Sequence, residues 1–125
     1  MASRNIPRDH WHEELDSFSR QHEGWIVRVR VTDPQGHQLI EARDLPLRGV
    51  SADSPENDSL AVIVGERPDD HLTHEIEHPV DVAIEATDEG AERALTIRSR
   101  DGSTTTVEFR TPMRPQDVDG WPRFR

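Results

Sequence analysis

The chain of 125 residues contains no cysteine, no tyrosine and no lysine. Without cysteine it can form no disulfide framework and carry out no thiolate chemistry. Only 32% of its residues are hydrophobic, and no apolar run approaches the roughly eighteen residues of a membrane span. The N-terminal residues also lack the apolar core of a signal peptide. We therefore expect a cytoplasmic protein with no membrane segment.

The charge of the chain is strongly acidic and unevenly distributed. The net charge is −10, and all fifteen basic residues are arginine. Residues 51–92 carry one arginine against thirteen acidic residues, whereas residues 93–125 carry seven arginines against four acidic residues. Because an acidic surface repels a phosphate backbone, this pattern disfavours nucleic-acid binding.

The first segment has the pattern of an amphipathic helix. Trp11, Leu15 and Phe18 recur at helical spacing and form one apolar stripe. Pro7 suits the first turn of a helix, and Gly24 is a typical stop signal. The pattern predicts a helix over residues 8–22 that packs its stripe against a sheet.

After Gly24 the apolar pattern has the period of β-strands. Residues 25–31 alternate between apolar and polar positions, and the sequence Asp33-Pro34-Gln35-Gly36 is typical of a type I turn. A second strand is predicted over 37–43, with a bend near the proline and glycine of residues 45–50. The polar residues 51–58 are predicted to form a loop.

The second half continues the β pattern. A buried strand is predicted over 60–64, and a long strand or a bent pair of strands over 71–86. Asp101-Gly102 separates two further strands as a tight hairpin turn. The fold class is therefore mainly β (α+β), with an N-terminal helix packed on a rolled antiparallel sheet or small barrel of about six strands. We expect one domain over residues 1–110 and an irregular, proline-rich tail over residues 111–125.

Residues 74–78 read HEIEH, which matches the H-E-x-x-H signature of zinc peptidases. That chemistry requires a helix, but Pro79 directly after His78 opposes a continuing helix. The alternation of residues 72–84 instead predicts a strand with Leu72, His74, Ile76, His78 and Val80 facing inward. Glu75 would then point away from both histidines, so we expect no catalytic residues and no enzyme.

Two other groups of residues are candidates for a site. His71 and His74, with Asp69 or Asp70, could hold a metal ion on a bent loop. Arg28 and Arg30 point to one face of their predicted strand and could form an interaction surface. The simpler interpretation is that these histidines and arginines pair with the abundant acids.

Four strings of residues occur in order along the chain: 17–25 (SFSRQHEGW), 41–47 (EARDLPL), 69–74 (DDHLTH) and 101–105 (DGSTT). Together they resemble an uncharacterised prokaryotic family, domain of unknown function 5335. The resemblance implies a small stand-alone protein but supplies no activity, cofactor or catalytic residue. The initial helix followed by bent strands also resembles, in topology alone, the Sm-like barrels, for which ring assembly and RNA binding would be implied.

The sequence favours a small non-enzymatic β module that acts through protein binding or self-association and needs no cofactor. One alternative is a metal-binding protein that uses the histidine and aspartate cluster of residues 69–78. Another is an Sm-like nucleic-acid-binding protein, which the acidic charge disfavours.

Overall fold

The computed structural model of the chain describes residues 2–52, 58–67, 69–88 and 90–113. A single 3-10 turn, Arg8–His10, leads directly into helix α1, Trp11–His22. The strands of the described residues are β1 Ala2–Asn5, β2 Ile26–Thr32, β3 Gln38–Ala52, β4 Ser59–Val64, β5 Leu72–Glu77, β6 Pro79–Ala86, β7 Glu92–Ser99 and β8 Thr104–Met113.

Helix α1 covers one side of the sheet with the stripe that the sequence predicts. Trp11, Leu15 and Phe18 are buried, and His22 extends the same stripe by one more turn. The helix packs mainly on β3, where the Ser19 hydroxyl accepts the Val50 N–H at 2.8 Å. The predicted helix over residues 8–22 is confirmed, with its first turn in 3-10 form.

All eight strands pair antiparallel in one sheet, in the order β1-β6-β7-β8-β2-β3-β4-β5. The inner face and helix α1 enclose a single apolar core rich in leucine, isoleucine and valine. The mainly β fold class with a rolled sheet is confirmed, and within the described residues the sheet is not closed into a barrel by hydrogen bonds.

The roll of the sheet follows from the connection between β5 and β6. Only His78 separates the two strands, yet they stand six strand spacings apart in the sheet order. In a flat sheet six spacings of about 4.8 Å would place them about 29 Å apart. Glu77 and Pro79 are two residues apart, which allows at most about 7 Å between them, so the sheet must curl until the end of β5 meets the start of β6.

The HEIEH segment lies in β5 and not in a helix, as predicted. The inward-facing residues of β5 pair with three buried residues of β4 and share their face. The pairs are Leu72–Val64, His74–Val62 and Ile76–Leu60. The prediction that His78 and Val80 continue this face is wrong. His78 has a positive φ of 53°, and a register shift follows between Pro79 and Asp81, so the His78 side chain is 48% exposed and Val80 is 40% exposed.

Several other details differ from the sequence prediction. The described residues form eight strands rather than about six, because the segment 71–86 divides into β5 and β6 and Ala2–Asn5 adds a strand beside β6. The hairpin at Asp101-Gly102 has a four-residue loop, residues 100–103, rather than a two-residue turn. Strand β8 continues to Met113, past the predicted start of the tail at 111, because Met113 pairs with Glu92 across a register shift. Residues 114–125 of the predicted tail lie outside the described residues.

Gly65 begins the connection between β4 and β5, where the chain approaches itself closely. Its φ is +108°, and a Cβ there would lie 2.5 Å from the Asp70 carbonyl oxygen and 2.7 Å from the His71 Cα. The Asp70 carboxylate fixes the same turn by accepting the N–H groups of Glu66 and Arg67 at 2.9 and 2.8 Å. The turn therefore requires glycine for both conformation and space.

We predict that Gly65→Ala lowers the free energy of unfolding by about 2 kcal/mol or more, through the strained φ and the backbone clash together. The measurement is urea denaturation followed by tryptophan fluorescence. Gly36→Ala is the matched control, since Gly36 has a φ of +92° but a Cβ at this position would meet nothing within 4 Å. Equal losses for the two variants would contradict the proposed clash.

Candidate functional site

A cleft of about 220 Å³ opens on the outer face of the sheet. Its lining residues, here called the arginine cleft, are Arg28, Asp44, Arg93, Glu108, Phe109 and Arg110. Arg28 comes from β2, Asp44 from β3, Arg93 from β7, and the other three from β8. The cleft therefore draws on four strands of one sheet.

Two irregularities of strand pairing shape the arginine cleft. Between Leu45 and Ala42, β3 has one residue more than the opposing segment of β2, and Asp44 in this bulge has a positive φ of 56°. On the other side, β8 has three residues more than β7 between the pairs Ala94–Glu108 and Glu92–Met113, and Arg93 stands opposite this excess. Bulges redirect side chains and interrupt pairing, which leaves room for a cleft at this place.

The arginines around the cleft differ in whether they have an acidic partner. Arg93 Nη2 lies 2.8 Å from Glu85 Oε1, and Arg30 Nη2, next to the cleft, lies 3.5 Å from Glu108 Oε2. Arg28 and Arg110, in contrast, are exposed and form no ion pair with any described residue. The cleft thus presents two guanidinium groups that are free to bind an anion.

Of the two arginines predicted to form an interaction surface, only Arg28 lines the arginine cleft. Arg30 is held by Glu108, and its buried Nε has no hydrogen-bond partner among the described residues. The alternation pattern does not predict that Arg93 and Arg110 lie at the cleft, because both reach it through irregular pairing of β7 and β8.

His74 lies in a polar cluster inside the roll. Its Nδ1 is 3.4 Å from Glu41 Oε1 on β3, and its Nε2 is 3.3 Å from Thr105 Oγ1 on β8. Glu41 is the extra residue of a second bulge in β3, between the pairs Ala42–Val29 and Ile40–Arg30. The cluster therefore connects the edge strand β5 to β3, two strands away in the sheet order, and to β8, four strands away.

The order carboxylate, imidazole, hydroxyl is also the order of groups in a hydrolase triad. Such a triad needs a hydroxyl that a substrate can reach. Thr105 is only 3% exposed, so a substrate carbonyl has no access to its Oγ1. The arrangement instead satisfies a half-buried histidine and holds β5 against the inside of the sheet.

His78 has a separate acidic partner at the junction of β5 and β6. The His78 Nδ1 lies 2.9 Å from Asp58 Oδ2. The backbone N–H of His78 donates to the backbone carbonyl of Asp58 at 2.9 Å. Arg8 binds the same carboxylate and also donates to the Pro79 carbonyl at 3.1 Å. The hydrogen bond from His78, followed by that from Arg8, lowers the pKa of Asp58 below its ordinary value of 3.8.

The two histidines considered as metal ligands are not joined by further ligands. His71 is exposed in the loop before β5, and both ring nitrogens of His74 face Glu41 and Thr105. One oxygen of Asp70 accepts two backbone N–H groups. In the part of the chain that the structure describes, no three His, Asp or Glu side chains are grouped as a metal would require. A metal site at His71 and His74 stays a prediction without structural support.

His22 is a buried polar residue that the sequence interpretation did not single out. It is completely buried, with ring centroids 4.6 Å from Phe109, 4.4 Å from Phe18 and 4.8 Å from Trp25. Its Nδ1 lies 2.8 Å from the Phe18 carbonyl, and its Nε2 lies 3.1 Å from Glu92 Oε1 without hydrogen-bond geometry. The sequence does indicate its burial, because His22 lies eleven residues after Trp11 and therefore on the same helical stripe. The aromatic cluster supports Phe109 directly beneath the arginine cleft.

We predict that Thr105→Val lowers the free energy of unfolding by about 1–2 kcal/mol, because it leaves His74 Nε2 without its hydroxyl partner. Urea denaturation measures the loss. Thr106→Val is the matched control, since Thr106 is 8% exposed on the same strand and its hydroxyl makes no hydrogen bond within the described residues. If both substitutions cost the same, the His74 contact contributes nothing to stability.

We predict that Asp58→Asn destabilises the fold at pH 7 and that the difference from the parent protein closes in acid. Because the folded pKa of Asp58 is lowered, its contribution is present above the unfolded pKa near 3.8 and disappears as the pH falls through the folded value. Urea denaturation at pH 7, 5 and 3 tests this. Asp9→Asn removes an exposed carboxylate without a partner in the described residues and should show no such pH-dependent difference.

Comparison with known proteins places the chain among uncharacterised relatives. It is 28% identical over 108 residues to an uncharacterized protein of Aquifex aeolicus (strain VF5), which covers 86% of this chain and 81% of that protein. No solved structure matches the chain. The model of a family of unknown function matches residues 2–118, almost the whole sequence. The chain therefore belongs to the family of unknown function DUF5335.

Proposed function

We propose that the protein is a small, non-enzymatic cytoplasmic module that binds a partner protein, and that the arginine cleft receives a carboxylate of that partner. The observation that carries this proposal is the pair of guanidinium groups, Arg28 and Arg110, that have no partner among the described residues and share one cleft. An arginine fork donates two parallel hydrogen bonds to a carboxylate, which gives both affinity and orientation.

The charge of the cleft favours a carboxylate over a nucleic acid. Three arginines and two acids line it, so its formal charge is +1. A phosphate backbone requires a continuous basic surface, and here Asp44 and Glu108 interrupt the arginines. The strongly acidic residues 51–92 add further repulsion. A short ligand with carboxylate groups fits these features better than a polyanionic backbone.

Two features of the histidine surroundings favour a function in binding over catalysis, namely the burial of His22 and that of the Thr105 hydroxyl beside His74. His74 and His78 have acidic partners, and His22 is enclosed by aromatic rings. The hydroxyl next to His74 belongs to the buried Thr105.

No helix among the described residues has the length and apolar character needed to cross a bilayer.

The bound partner would be either another protein or a second copy of the chain. Residues 51–92, with thirteen acidic side chains, supply carboxylates that an arginine cleft of a second copy could accept. Size-exclusion chromatography with light scattering separates the two cases. A monomer mass at micromolar concentration would remove self-association and leave a foreign partner.

We predict that the free-acid peptide Gly-Asp-Glu-Val, which carries both side-chain and terminal carboxylates, binds in the arginine cleft. In ¹H–¹⁵N NMR titrations, saturable shifts should be confined to residues of the cleft and their neighbours. Arg28→Ala and Arg110→Ala should each weaken binding about tenfold, the usual effect of losing a charged hydrogen-bonded pair.

Arg98→Ala is the matched control, because Arg98 is exposed on the same sheet but pairs with Asp81 outside the cleft. The affinity of the Arg98→Ala variant for the peptide should equal that of the parent protein. Binding that all three arginine variants weaken equally would reflect general charge and would refute a specific cleft.

A further inference from the structure

The arginine cleft has room inside it for about one residue of a ligand. Pockets for drug-sized molecules measure about 300–1,000 Å³. The cleft measures about 220 Å³, and bulges of β3 and β8 bound it on two sides. An internal residue of a peptide brings two chain directions into this space, whereas a terminal residue brings only one.

The polar groups of the cleft match the two polar groups of a chain end. Arg28 and Arg110 are free to donate to a carboxylate. Asp44 is an exposed carboxylate that makes no hydrogen bond or ion pair within the described residues, so it is free to accept an N–H. Glu108 is less available, because it lies 3.5 Å from Arg30.

Asp44 also has an unusual backbone conformation for its place in the cleft. Its φ of 56° lies in the left-handed region, which is costly for a residue other than glycine. The bulge that imposes this conformation places Asp44 opposite Arg28, so that an acceptor and a donor face the same space. Phe109 beneath the cleft is only 5% exposed, and its ring packs into the core against Phe18 and His22.

From these observations we propose that the arginine cleft recognises the C-terminal residue of a protein chain. Arg28 and Arg110 bind the α-carboxylate, and Asp44 accepts the last peptide N–H. Capture of a chain terminus by converging donors is an established mode of peptide recognition. This inference rests on the proposed function and specifies which carboxylate the cleft takes.

Three peptides of nearly equal size test the inference by NMR titration of the ¹⁵N-labelled full chain at about 150 mM salt, where screening suppresses non-specific charge effects. The first is Gly-Gly-Ala-Val with a free C-terminus, and the second is the same peptide with a C-terminal amide. The third is acetyl-Gly-Asp-Gly-Gly-amide, whose only carboxylate is a side chain. Inorganic phosphate serves as a fourth ligand.

The expected result is that the free acid shifts the resonances of the cleft and that amidation weakens its binding at least tenfold. Arg28→Lys should also weaken it, because lysine keeps the charge but loses the planar fork. Asp44→Asn should weaken binding of the free-acid peptide, because the last peptide N–H then meets a neutral acceptor. The internal-aspartate peptide should bind weakly to every form of the protein.

Two other outcomes are distinguishable. If the internal-aspartate peptide or phosphate binds as tightly as the free acid and depends on Arg28, the α-carboxylate inference is overturned, and in the case of the aspartate peptide the proposed carboxylate site is retained. If none of the ligands shifts the cleft resonances, both the inference and the proposed function fail.

Discussion

The one-residue connection at His78 is the constraint on which the rest of the structure depends. It joins strands that lie far apart in the order of the sheet, and so it requires the sheet to roll around its own core. The junction is fixed by Asp58, which binds the His78 ring and backbone and is itself bound by Arg8. The roll in turn brings β5 close enough to β8 for His74 to reach Thr105.

Rolling a sheet this tightly requires irregular pairing, and the polar features of the molecule occur at those irregularities. A bulge in β3 supplies Glu41 to His74, and the next bulge in the same strand supplies Asp44 to the arginine cleft. The excess residues of β8 separate it from β7 beside Arg93. Regular strands bury side chains in alternation, so it is the departures from regularity that place charged groups together.

Local periodicity in the sequence identifies the regular elements, although it does not give the loop length at Asp101-Gly102. The stripe of Trp11, Leu15 and Phe18 predicted the helix, and the alternation from residue 25 predicted the strands. It failed where distant pairing decides: the break of alternation at His78, the bulge at Asp44 and the pairing of β1 with β6 depend on the register of strands far apart in sequence. For this reason Arg28 could be proposed from sequence, whereas Arg110 and Asp44 could not.

The pairing of β2 with β8 has a consequence for biosynthesis. Strand β2 emerges from the ribosome early, but its partner β8 is made only after β3 to β7. During that interval one edge of an apolar strand stays unpaired, a situation that favours aggregation of incomplete chains. The segment synthesised meanwhile contains residues 51–92 with their thirteen acids. Electrostatic repulsion between the acidic segments of nascent chains would keep the unpaired edge of β2 from pairing with another chain until β8 is released.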